Sequence, residues 1–161
     1  MDRNFQLPPT HSLIVALDHS AGMAHPLPGG GTYLQAAVDT IEKLLHHNEQ
    51  REITEYSLLH FGDDRVATQP FALDQPPPFL RQLRRLKAAG GATLAEALRQ
   101  AQHLALDEAR GDDVRIVVLS RGYDTCGGRP LEVALDIGAG RRLKWTPPEQ
   151  LVLKEVNSKK R

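Results

Sequence analysis

A single cysteine, Cys126, among 161 residues excludes an internal disulfide and a cysteine-based zinc cluster. Net charge is missing too. Twenty basic residues balance twenty acidic ones, so no global field draws the chain to nucleic acid or an anionic membrane. The basic end, Lys159, Lys160 and Arg161, reads as a solvated tail. Long hydrophobic runs are absent as well. Residues 1–4 are polar, and the first apolar run, residues 13–17, is far shorter than the roughly 20 residues a membrane span needs. A cytoplasmic location is the default expectation.

The marks of common enzyme classes are also lacking. Ser20, Ala21 and Gly22 after a strand faintly suggest the nucleophile elbow of a hydrolase, but Asp18 stands where that motif has its first glycine. The last of the seven histidines, His103, precedes the strand ending at Leu119, so no Ser–Asp–His order can be completed. Gly29, Gly30 and Gly31 lack dinucleotide-binding spacing, and no Walker sequence appears. His46 and His47 fall at a helix end, where a cation favours the dipole. His19 and His25 flank the loop after the first strand; either could bind a soft metal with Asp18, but both read as surface histidines. Cys126 lies in a glycine-rich loop.

What is present is an alternation of strands and amphipathic helices. Residues 13–17 form a continuous apolar run, the pattern of a strand covered on both faces. Leu34, Ala37, Val38, Ile41, Leu44 and Leu45 then recur at helical spacing. Residues 56–61 read as a second strand, and residues 66–71 as a short edge strand, because Pro70 suits only an edge. After Pro76, Pro77 and Pro78, a short helix is predicted to bury Leu80, Leu83 and Leu86 and to end near Gly90. Its other face, Arg81, Arg84, Arg85 and Lys87, reads as solvated.

Thr93 opens the clearest helix, with Leu94, Ala97, Leu98, Ala101, Leu104 and Ala105 in register and Glu96 placed for a capping box. Residues 115–119 are another buried strand, residues 130–137 a helix, and residues 151–156 a last strand or helix. The pattern predicts a doubly wound α/β domain with a mostly parallel sheet and helices on both faces. Its expected bounds are residues 11–157, between a tail of residues 1–10 and a basic tail of residues 158–161. Residues 138–161 are polar and short, which suggests shortened last elements and a less covered sheet edge. The oligomeric state stays open.

In such folds ligands bind beyond the carboxyl ends of the strands. Asp18 and Ser20 follow the first strand, Ser120 and Arg121 follow the later one, and Thr93 stands at a helix start. Carboxylate and hydroxyl oxygens so placed suit a hard divalent cation such as Mg²⁺. Over residues 13–135 the chain resembles the von Willebrand factor A domain, the integrin I-type domain. The resemblance rests on Asp18, His19, Ser20, Ala21 and Gly22, on Phe61, Gly62 and Asp63, on residues 91–98, and on Ser120, Arg121 and Gly122. Residues 123–128 are similar to bacterial members.

Residue by residue, the resemblance implies metal ligands at Asp18, Ser20 and Thr93. The family's third ligand is Gly22 here, and its last, an aspartate, is Arg121. A guanidinium about 4 Å from the cation would repel each unit of ion charge by roughly 4 kcal/mol. Millimolar Mg²⁺ affinity is worth only about 4 kcal/mol. The repulsion wins, so no cofactor is expected, with weak Mg²⁺ or Mn²⁺ binding as the alternative and Asp124 as a substitute ligand. Arg121 is expected to neutralise Asp18 directly. The functional expectation is a non-catalytic protein-interaction module. Its rim of Asp18, Ser20, Gly22, Thr93, Arg121 and Asp124 would meet a partner's acidic side chain through Arg121. The alternative from another class is a small α/β enzyme with no identifiable catalytic set.

Overall fold

The computed structural model describes residues 9–48, 54–73, 79–139 and 143–144. Strand β1 (His11–Asp18) lies at the centre of a five-stranded sheet ordered β3-β2-β1-β4-β5. It pairs in parallel with β2 (Thr54–Gly62) on one side and with β4 (Asp113–Leu119) on the other. The two-residue β5 (Leu143–Lys144) continues the parallel set beyond β4. Only β3 (Arg65–Thr68) runs antiparallel, joined to β2 by a tight hairpin. Asp63 and Asp64 form that turn with φ of 52° and 59°, the left-handed pair that matches strand twist in a two-residue hairpin. The edge strand stops before Pro70, which cannot donate to a ladder. Beyond the strand the Gln69 N–H still bonds the Leu58 carbonyl at 2.7 Å, and Ala72 makes an isolated bridge to Tyr56.

The central strand is apolar throughout because it is covered twice. Leu13, Val15 and Leu17 point to one layer with helix α1 (Tyr33–Asn48), which contributes Leu34, Ala37, Val38, Ile41 and Leu45. Ile14 and Ala16 point to the other, with α3 (Leu94–His103) and α4 (Pro130–Ala139). Each wholly buried Leu or Ile here contributes about 2 kcal/mol by leaving water. The α3 helix ends in a wider π turn, Leu104–Glu108, in which the Ala109 N–H bonds the Leu104 carbonyl at 2.9 Å.

Two local expectations fail. The basic helix is a single turn, α2 (Leu80–Leu83), and does not run on to Gly90. Beyond it the chain makes short-range turns, Arg85 N–H to Gln82 and Leu86 N–H to Leu83. Like charges at Arg81, Arg84 and Arg85 repel at helical spacing and oppose a longer helix. Arg84 instead reaches α1 and pairs with Glu42 at 2.7 Å. The capping box fails also: Thr93 makes no side-chain cap bond to α3. The segment 151–156 and the boundary at 157 lie outside the described residues. Among the described residues, no helix is long and apolar enough to cross a membrane.

Candidate functional site

Because β1 and β4 are parallel neighbours, with Leu17 opposite Leu119, the residues that follow them emerge side by side. Asp18 is the hub of this rim and is only 2% exposed. Its Oδ1 accepts the Ser20 N–H at 2.8 Å, an Asx turn that starts the loop. Its Oδ2 accepts the Ser120 hydroxyl at 2.7 Å. Ser120 Oγ in turn accepts the Gly122 N–H at 3.0 Å. Ser20 is buried, and a 3₁₀ turn (Ala21–Ala24) follows it, anchored by the buried Met23. The Ala21 N–H bonds the Gly90 carbonyl at 2.9 Å, which draws the loop before α3 alongside. Gly90 has φ of 65°, and a Cβ there would lie 2.4 Å from Asp63 Cα, so only glycine fits.

Thr93 directly precedes α3, and its Oγ1 is buried with no hydrogen-bond partner. The cap it was expected to supply comes from Asp124. Asp124 Oδ2 accepts the Ala95 N–H at 2.8 Å, in the first turn of α3. Its Oδ1 accepts the N–H groups of Cys126 and Gly128 at 2.9 and 3.0 Å. Burial pushes this carboxyl upward, and the three N–H donors with the Arg99 charge outweigh it, leaving the pKa below the ordinary value. Thr125 adds two bonds to Ala92, at 2.7 and 3.0 Å, so residues 124–128 are stapled to the start of α3. Cys126 is exposed beside Asp64, and desolvation with that carboxylate pushes its thiol pKa up, away from thiolate reactivity.

The expected Arg121–Asp18 ion pair is not formed. Arg121 is exposed and turned outward, with Nη1 donating to the Gly22 carbonyl at 3.2 Å. Its guanidinium lies 5.0 Å from the Tyr33 ring centroid and 5.8 Å from that of Tyr123. The physical reason lies in what each group gains. Two neutral donors already satisfy the buried Asp18, while Arg121 keeps its hydration and gains two aromatic faces. The sequence marks Ser120 by position and Tyr123 by resemblance but gives neither a bonding role, and it does not mark Tyr33.

Behind the rim, His19 turns toward β2. Its Nδ1 contacts the Lys87 carbonyl at 3.2 Å and its Nε2 contacts His60 Nδ1 at 3.1 Å. His60 Nε2 is buried with no partner. Burial first, then the His19 charge, push the His60 pKa below the ordinary histidine value. Among the described residues, no three His, Cys, Asp or Glu side chains converge on one point.

Comparison with known proteins agrees with this architecture. The family model for the von Willebrand factor type A domain matches residues 13–123. No curated protein matches the chain. Among solved structures, BatB from Bacteroides thetaiotaomicron superposes with a TM-score of 0.59 at 19% identity, covering 83% of this chain and 63% of its own. The pilus adhesin SpaC from Lactobacillus rhamnosus GG gives 0.58 at 16% identity, over 74% of this chain and 16% of its own. The type V pili tip protein Mfa5 from Porphyromonas gingivalis gives 0.52 at 19% identity, over 70% of this chain and 20% of its own. The chain thus spans less than two thirds of each of these three, and at such identities they share its fold. The family match covers more than half of the 161 residues and contains Asp18, Ser20, Thr93 and Arg121, so the chain belongs to the von Willebrand factor type A domain family.

Proposed function

We propose that this domain is a non-catalytic protein-interaction module that receives an acidic side chain of its partner at Arg121, without a metal ion. The observation that carries the reading is the outward, exposed guanidinium, held by the Gly22 carbonyl between Tyr33 and Tyr123. One of its five N–H donors is engaged there, and the rest form a fork that suits a carboxylate. The tyrosines hold the fork in place and lower the entropy lost on docking. Two of the structural neighbours, SpaC and Mfa5, are a pilus adhesin and a pilus tip protein, which supports an interaction role for the fold.

The donor set fits a hard divalent cation poorly. The rim offers two carboxylates, Asp18 and the substitute Asp124, and both oxygens of each already accept hydrogen bonds. Gly22 brings no side-chain oxygen, and Arg121 brings a permanent positive charge. One observation favours the second reading, weak Mg²⁺ or Mn²⁺ binding: the Thr93 hydroxyl is buried without a partner, as an unfilled ligand would be.

The experiment is affinity capture from a cell extract with a chelator present, repeated with Arg121→Glu. The proposal expects a captured protein that survives chelation and is lost in the variant. Capture that needs added Mg²⁺, or that persists with Arg121→Glu, would overturn it. Calorimetry then separates the readings: no Mg²⁺ heat is expected from wild type, and heat appears in the Gly22→Ser, Arg121→Asp double variant if the rim is a relic site.

A further inference from the structure

We infer that His19 and His60 form a second, independent site, a two-imidazole clip for a borderline first-row cation such as Zn²⁺ or Cu²⁺. The geometry starts from the strands. β1 and β2 are parallel with Leu17 opposite His60, so His19, two residues on, leaves β1 beside the end of β2. The His19 N–H bonds the Phe61 carbonyl at 2.8 Å and its own carbonyl accepts the Ala89 N–H at 2.9 Å, which fixes the backbone on both sides. Gly62 makes the approach feasible: a Cβ there would lie 2.7 Å from the His19 carbonyl carbon and 2.8 Å from its Nδ1.

The proton positions then follow from the partners. A carbonyl can only accept, so His19 Nδ1 carries hydrogen toward Lys87 and its Nε2 presents a lone pair. His60 Nδ1 faces that lone pair at 3.1 Å with the rings tilted by 53°, not stacked. Two imidazole nitrogens bound to one Zn²⁺ at about 2.0–2.1 Å, with 3.1 Å between them, subtend an angle near 100° at the metal. That is close to the tetrahedral value. The bond from Nδ1 to a backbone carbonyl is also the support that orients a metal-binding histidine and raises its basicity.

For the ion to enter, His60 moves its single ring proton from Nδ1 to Nε2, and both facing nitrogens become ligands with no net change in protonation. No third His, Cys, Asp or Glu among the described residues joins the pair, so water or a partner's side chain completes the coordination. Nitrogen donors favour Cu²⁺ over Zn²⁺ and both over Mg²⁺. This selectivity separates the clip from the oxygen-lined rim, and the inference does not rest on the Arg121 reading.

The test is calorimetry of the whole chain with Zn²⁺ alone, with thermal melting as a second readout. Wild type is expected to bind Zn²⁺ in a step that excess Mg²⁺ does not suppress, and to melt at a higher temperature in its presence. His19→Gln and His60→Gln are each expected to weaken binding at least about tenfold and to abolish the melting shift. Should His60→Gln not fold, His19→Gln and His19→Asn carry the test. The exposed His103–Asp107 pair, 2.6 Å apart, is the control, and His103→Gln is expected to leave Zn²⁺ affinity unchanged. Absence of Zn²⁺ binding, binding unchanged in His19→Gln, or binding lost only in His103→Gln would each overturn the clip.

Discussion

The two ends of the sheet handle buried polar groups in opposite ways. At the amino ends of the strands, Glu55 is wholly buried, and one of its oxygens accepts the Ser12 hydroxyl at 2.7 Å and the Arg110 N–H at 2.6 Å. Its other oxygen accepts Arg110 Nε at 3.1 Å, and Ser12 Oγ accepts the Gly111 N–H at 2.9 Å. This network ties β1 and β2 to the turn before β4 and leaves none of its carboxylate oxygens idle. At the carboxyl ends, Asp18 is similarly engaged, but Thr93 Oγ1 is orphaned and Arg121 faces outward. Tyr56 Oη near the amino ends also lacks a partner, so the contrast lies in the charged groups. The buried Glu55 engages its cation, whereas Arg121 at the other end leaves Asp18 to neutral donors.

The sharpest way to break that contrast is Glu55→Ala. It strands the Ser12 hydroxyl and the Arg110 N–H, and the expected loss is about 3 kcal/mol in urea unfolding. The low end of the range applies because Arg110, 61% exposed, returns its charge to water. Asp18→Ala at the other end is expected to cost about 2 kcal/mol by the same assay, since it frees one hydroxyl and one N–H. If Asp18→Ala costs more than Glu55→Ala, the rim is the more structural end and the contrast reverses.

Asp124→Ala comes next, with an expected loss of about 1 kcal/mol for a removed helix cap. Its pH dependence has a definite sign. The folded pKa is below the unfolded value, so the Asp124 contribution is complete above the unfolded pKa, about 3.9, and is lost as pH falls through the folded pKa. Melting curves across acid pH should therefore be less steep in Asp124→Asn than in wild type. The smallest effect belongs to Thr93→Val. Replacing an orphaned hydroxyl with a methyl is expected to leave the melting temperature unchanged or slightly raised. A clear drop would mean that Thr93 Oγ1 has a partner in solution.

Much of this was legible in the chain. Two-sided burial of β1 follows from its continuous apolar run, and α1 and α3 follow from their stripes. The rim positions of Asp18, Ser20 and Thr93 follow from where strands and helices end. What sequence did not reveal is which side chain each polar group meets. Charge alone pairs Arg121 with Asp18, whereas in the fold Ser120 is nearer in register and a neutral donor suffices. Thr93 and Glu96 have capping-box spacing, yet the cap comes from Asp124 on another segment, 29 residues from its Ala95 partner. The α2 helix is shorter than its leucine spacing predicts, because its arginines repel one another at that same spacing.

Two long-range bonds at the rim also order events in time. Ser120 reaches Asp18 across 102 residues, and Arg121 reaches Gly22 across 99. Closing so long a loop is entropically costly and slow compared with the local hairpin of β2 and β3. The proposed docking rim therefore forms only once β4 has docked on β1. A nascent or half-unfolded chain would present Arg121 without its Gly22 clasp, so capture by a partner would report that folding is complete.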